Sequence, residues 1–178
     1  MGSATKNLEN DHIYILRLID IMEIVSKTEN PNIFDLDTII FLIKNYADGV
    51  HHQKEEDLFF PLLEERGFST QQGPVAVMLH EHTLGRNFVK GLSEALVLYN
   101  GGDKSAILAI RNNINGYIAL LRNHISKENN ILFRMADKVL SEDDNQKLTK
   151  EFAKVEIKIM EESILKIEKM EEFYKYQL

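Results

Sequence analysis

His51-His52-Gln53-Lys54-Glu55, followed by Leu58-Phe59-Phe60, has a counterpart later in the chain: His124-Ile125-Ser126-Lys127-Glu128, followed by Ile131-Leu132-Phe133. Sliding one stretch onto the other aligns His51 with His124, Lys54 with Lys127, Glu55 with Glu128 and Phe60 with Phe133. A histidine and a glutamate four residues apart lie on one face of an α-helix. The first face reads Leu36, Ile40, Ile43, Ala47, His51, Glu55, Leu58, Leu62. The second reads Ile110, Ile114, Tyr117, Leu121, His124, Glu128, Ile131, Met135. Apart from the His–Glu pairs and the Tyr117 hydroxyl, both stripes are apolar, so they point to the core of an all-α protein. No strand-like alternation competes with that reading.

Working outward, five helical segments follow. The first spans about Leu8 to Lys27 and stops before the breaker pair Asn30-Pro31. The second starts near Asp35 as N-cap and runs to about Arg66, before Gly67. The third follows Gly73-Pro74 and ends before Asn100-Gly101-Gly102; the fourth runs from Asp103 to about Leu140. Ser141-Glu142-Asp143-Asp144 looks like a capping box opening a fifth, which continues to the C-terminus. Short connections make neighbours antiparallel, which predicts an up-down-up-down four-helix bundle over residues 1–140. Residues 141–178 add an amphipathic helix, with Phe152, Val155, Ile159, Ser163, Ile167, Met170 and Tyr174 on one stripe. That stripe suits packing on the bundle or a homodimer contact.

Composition bounds the chemistry. The 178 residues include no cysteine, which excludes disulfides, thiolate-ligated zinc, iron–sulfur clusters and a cysteine nucleophile. A net charge of −7 without a basic stripe argues against nucleic-acid binding. No apolar run approaches the roughly 20 residues that span a bilayer. The start Met1–Lys6 is polar, unlike the apolar core of a signal peptide. A cytoplasmic protein with no membrane partner is expected.

Two further histidines point inward. His82 shares a stripe with Val75, Met78, Leu79, Val89, Leu92 and Leu96, and His12 shares one with Leu8, Ile15, Leu16 and Ile19. Each of four helices thus offers one histidine, and two add a carboxylate one turn on. Buried imidazoles and carboxylates are costly unless paired or metal-bound. The set His12, His51, Glu55, His82, His124 and Glu128 is the donor count of a dinuclear metal site, with the carboxylates bridging. A lone inward histidine would be a hydrogen-bonded core residue; the ensemble is what points to metal.

The chain resembles the hemerythrin-like, or HHE cation-binding, family. The resemblance rests on Asp11-His12, on His51–Glu55 with Leu58-Phe59-Phe60-Pro61, on Met78-Leu79-His80-Glu81-His82, and on His124–Glu128 with Ile131-Leu132-Phe133. It implies a non-haem diiron centre bridged by the two glutamates and a water-derived oxygen, with ligands such as O2, NO or peroxide. Spacing alone does not select iron, because imidazole and carboxylate also suit manganese or zinc. Oxygen carriers of the family use five histidines, the fifth four residues from the first on the third helix; here Met78 and Arg86 stand at those positions. A four-histidine site implies handling or sensing of oxygen, nitric oxide, peroxide or iron rather than stable oxygen carriage. The alternatives are a diiron oxidoreductase or iron-donating repair enzyme, and an interaction module with a structural metal. Whether the chain is an enzyme stays open.

Several neighbours read as bystanders. His52 and Glu56 share a face with Asn45 and Asp48, a solvent-like set. His80 reads as peripheral, Glu81 as a solvated carboxylate and Tyr117 as a packed core residue.

Overall fold

The computed structural model describes residues 2–156 and 159–175, and these fold as helices joined by short turns, with no strand among them. Helix α1 is Ser3–Lys27. α2 (Ile33–Leu42) runs on through a π-helical stretch Ile43–His52 and a second one, Glu55–Phe59, into α3 (Phe60–Glu65). α4 is Pro74–Asn100. After a 3-10 turn at Lys104–Ala106, α5 (Ile107–Lys127) passes through a third π-helical stretch, Glu128–Leu132, into α6 (Phe133–Ala136). α7 (Glu142–Glu156) and α8 (Ile159–Tyr174) complete the described chain. The expected fifth helix covers both; positions 157–158 and 176–178 of that expectation lie outside the described residues.

Local sequence sets most boundaries. Asn32, not Asp35, caps α2: its side chain accepts from the Phe34 N–H at 2.9 Å. Asp35 sits in the first turn instead and accepts from the Tyr174 hydroxyl. Gly73 adopts φ +80° just before Pro74, which occupies the first turn of α4. Ser141 and Asp144 form the expected reciprocal cap, with the Asp144 N–H donating to Ser141 Oγ at 3.1 Å and the Ser141 N–H to Asp144 Oδ2 at 3.0 Å.

The core comes in two parts. One gathers Ile15, Ile19, Leu36, Ile40, Ala47, Leu92, Ile114 and Leu121. The other gathers Leu8, Phe59, Phe60, Leu63, Val75, Met78, Leu132 and Phe133. On every long helical path the ionisable inward residues fall between the two, so a polar layer divides the apolar interior. Residues of the C-terminal stripe join both parts: Phe152 the second, and Ile167, Met170 and Tyr174 the first.

The third π stretch changes which residues face inward. Ile131 and Met135, expected in the core, are 50% and 38% exposed, whereas Leu132, Phe133 and Ala136 are buried. An i→i+5 turn takes in one more residue than an α-turn, so the inward face slips by one position after Glu128.

Candidate metal centre

His12 comes from α1, His82 from α4 and His124 from the last turn of α5. Glu55 and Glu128 each open a π stretch. His51 and His52 end the first one, and the structure corrects the solvent-facing reading of His52. It is 4% exposed, and its ring stacks on His82 with centroids 3.8 Å apart. The widened turn is the reason: less rotation separates successive residues there, so both neighbouring imidazoles reach the polar layer.

The donors form two groups, His12, His51 and Glu128 in one, and His52, Glu55, His82 and His124 in the other. His12 Nε2 is 2.9 Å from His51 Nε2, and His82 Nε2 is 3.2 Å from His124 Nε2. Each carboxylate reaches across. Glu128 Oε2 lies 3.2 Å from His12 Nε2 and 3.3 Å from His124 Nε2. Glu55 Oε2 lies 3.7 Å from His51 Nε2 and 3.4 Å from His82 Nε2. Two donors bound about 2.1 Å from one ion at roughly 90–110° would sit about 3.0–3.4 Å apart, so these spacings suit shared ions.

The far nitrogens explain the orientation. His12 Nδ1 is 2.8 Å from Asn129 Oδ1, His51 Nδ1 3.1 Å from Asp11 Oδ2, and His52 Nδ1 3.2 Å from Asp48 Oδ1. His82 Nδ1 is 2.6 Å from Glu56 Oε1, and His124 Nδ1 3.0 Å from Glu81 Oε2. Every Nδ1 faces an acceptor and so donates its proton outward, which leaves Nε2 with a lone pair wherever the ring is neutral. Nε2 atoms facing each other across about 3 Å, with both glutamate carboxylates and His52 Nε2 lacking hydrogen bonds, are what a cation would resolve.

Cations hold the outer acceptors in turn. Lys54 Nζ is 2.5 Å from Asp11 Oδ2, and Lys127 pairs with Glu81. Arg86 grips Asp48 at 2.6 Å and Glu56 at 2.8 Å, serving His52 and His82 together. The aligned lysines of the repeated motif thus do the same job twice. Only His12, on the neutral Asn129 amide, lacks a charged support of this kind.

Charge inside the layer is unbalanced without ions. Burial and the adjacent Glu128 charge push the Glu55 carboxyl well above its usual range. Glu128 is held low: burial opposes ionisation, but the His124 and His12 imidazoles outweigh it. Burial also disfavours charge on His82, yet the Glu55 carboxyl beside it and its hydrogen bond to Glu56 raise it to about 9. Burial and the neighbouring His82 drop His52 to about 3. The polar layer holds a proton on His82 where cations would stand.

The structure therefore brings all six expected donors together and adds His52. Glu56 and Glu81, read as solvated, are hydrogen-bonded to candidate ligands; His80 is exposed, as expected. Asn129 and the gripping role of Arg86 gave no signal in the sequence, since each works across helices; Asp48 lies one turn from His52 on its own stretch, and the shared face was read as solvent-like. No described helix is long and apolar enough to cross a membrane.

Known proteins extend the picture. The chain is 36% identical over 89 residues to the iron-sulfur cluster repair protein YtfE of Pectobacterium carotovorum subsp. carotovorum (strain PC1). It is 32% identical over 88 residues to the protein of that name from Escherichia coli (strain K12 / DH10B). Both alignments cover 48% of this chain and 40% of the relative, so they take in less than half of those proteins. No solved structure matches the chain. The family model described as the hemerythrin HHE cation-binding domain matches residues 3–136, the whole stretch that supplies the donors, and the chain belongs to that family.

Proposed function

We propose that the chain is a non-haem diiron protein whose centre handles or senses a small ligand such as O2, NO or peroxide. His12 and His51 would hold one iron, His52, His82 and His124 the other, and Glu55 and Glu128 would span both. The observation that carries this reading is the crossing of the carboxylates, each with one oxygen facing one imidazole of each pair. Iron there would supply redox change and open positions for an exogenous ligand. The first ion would have fewer protein donors than the second, and would be the more open to a ligand. We read the packing as an up-down-up-down four-helix bundle with residues 141–178 laid over it, in a cytoplasmic protein. One donor-bearing segment per helical path supports that arrangement.

The fifth imidazole removes the ground for expecting poor oxygen carriage, which rested on a count of four. A second reading, iron donation in repair, is favoured by the name of the relatives that match about half of the chain. Elemental analysis of protein purified with iron is expected to give two ions per chain, with near-ultraviolet absorption that reduction bleaches. His52→Ala is expected to lose the second ion and keep the first. One ion or none in the wild type, or full loading of His52→Ala, would overturn the assignment.

A further inference from the structure

The centre repeats itself about an approximate two-fold relation. Asp11-His12 on α1 corresponds to Glu81-His82 on α4, as His51–Phe60 corresponds to His124–Phe133. The contacts match pair by pair. His12 Nε2 faces His51 Nε2 as His82 Nε2 faces His124 Nε2. Asp11 holds His51 and is held by Lys54; Glu81 holds His124 and is held by Lys127. Phe133 stacks on His12 and Phe60 on His82, with centroids 5.7 Å and 6.0 Å apart. The π stretches Glu55–Phe59 and Glu128–Leu132 also correspond residue for residue.

The correspondence breaks around one ion position. Where Asn129 holds His12, the matching residue at His82 is Glu56. The counterpart of His52 is Ile125, that of Asp48 is Leu121 and that of Arg86 is Leu16. Ile125 and Leu121 are buried, and Leu16 packs on the core. The π stretch Ile43–His52 likewise has no partner, because the matching residues 116–125 lie within the regular helix α5. Its widened turn carries His52 inward, where Nδ1 meets Asp48 Oδ1 at 3.2 Å. Arg86 closes the arrangement from outside. Its Nε and Nη2 reach Asp48 at 2.9 Å and 2.6 Å, and Nη2 also reaches Glu56 at 2.8 Å. A planar guanidinium can span two carboxylates in this way, whereas a lysine ammonium is a single point of charge. The Arg86 side chain is 44% exposed, so it acts on a buried centre from a place where substitution opens no cavity.

We propose that Arg86 is a positioning residue that makes two otherwise equivalent ion positions unequal. Through Asp48 it fixes His52, and through Glu56 it fixes His82. The position at His52, His82 and His124 therefore fills first and holds its ion harder. The position at His12 and His51, with one imidazole fewer and a neutral amide behind His12, fills last and exchanges first. The inference rests on the dinuclear reading above.

The test is zinc titration of the metal-free full chain, followed by long-range 1H–15N NMR of the histidine rings. At one equivalent the Nε2 signals of His52, His82 and His124 are expected to shift while those of His12 and His51 stay; the second equivalent moves the remaining two. In Arg86→Leu, with folding checked by circular dichroism, zinc at the His52 position is held roughly tenfold more weakly in chelator competition. His12 and His51 then shift within the first equivalent. Arg86→Lys keeps the charge without the two-armed grip, is expected to lose the order as well, and serves if the leucine variant misfolds. Both sets of rings shifting together in the wild type, or His12 and His51 shifting first, overturns the proposal and leaves the dinuclear reading standing. So does an unchanged order in a folded Arg86 variant. Zinc that shifts none of these rings sinks the dinuclear reading, and this proposal with it.

Discussion

Lys54 carries a full charge to a place that water does not reach. Its side chain is 0% exposed, with Nζ 2.5 Å from Asp11 Oδ2, 2.7 Å from Glu156 Oε1 and 2.9 Å from Asn7 Oδ1. Three acceptors match its three N–H bonds. Removing one member of a buried pair typically costs about 3–5 kcal/mol, because the other charge is left uncompensated. Lys54→Met is therefore expected to destabilise by that order in urea denaturation, with Lys54→Met/Asp11→Asn recovering part of the loss. A Lys54→Met variant as stable as the wild type would contradict the buried pair. His82 supports a second expectation. Raised to about 9 by Glu55 and Glu56 against the opposing effect of burial, it is protonated at neutral pH in the metal-free protein. An ion at Nε2 must displace that proton, so uptake at pH 7 releases protons and affinity climbs with pH up to about 9 before levelling. Calorimetry in buffers of different ionisation enthalpy measures the release; none would refute it. At this scale the sequence showed half the matter. The match of Lys54 to Lys127 was visible in the repeat, whereas their partners Asp11 and Glu81 sit on other helices and could not be paired by spacing.

The π-helical stretches are the elements that periodicity misjudged. A strict 3.6-residue repeat puts His52 about 100° from His51 and keeps Ile131 on the stripe of Glu128. Both statements fail where the turns widen, at Ile43–His52 and Glu128–Leu132. Up to those turns the reading held: Leu36, Ile40, Ile110, Ile114 and Leu121 are all buried as expected. Nothing in residue type announces a π turn, but Gly49 bears on it. A Cβ at Gly49 would lie 2.9 Å from the carbonyl oxygen of Lys44, five residues back. In an ordinary helix, replacing glycine by alanine stabilises by roughly 0.5–1 kcal/mol. Here Gly49→Ala is expected to lower the melting temperature and weaken metal binding, because the clash is with backbone and forces the turn to open. A rise in melting temperature with undiminished metal content would show that the turn tolerates the methyl group.

Over the whole molecule, the all-helical class and the position of the polar layer were legible, since each of the six expected donors stood between apolar residues of its own stripe; His52 was the exception. The contribution of the C-terminal segment was legible only in part. Its apolar stripe predicted packing, yet Glu156, on the polar face of α7, reaches Lys54 and so connects residues beyond the family match to His51 through Asp11. Glu156→Gln is expected to leave the helix docked, because Phe152 and Leu148 stay buried, while weakening retention of the ion at His12 and His51. A chelator competition that gives identical rates for variant and wild type would disconnect the two.

A polar seam between two apolar clusters also has a consequence for how the protein breathes. Without cations, the amides around Leu8 and Phe133 and those around Ile19 and Ile114 belong to interiors joined by a poorly compensated layer, and each can open with its own free energy. Two ions, each tied to helices on both sides, would fasten the clusters into one cooperative unit. Hydrogen exchange is expected to resolve two classes of slow amide in the stripped protein and to merge them into one on loading.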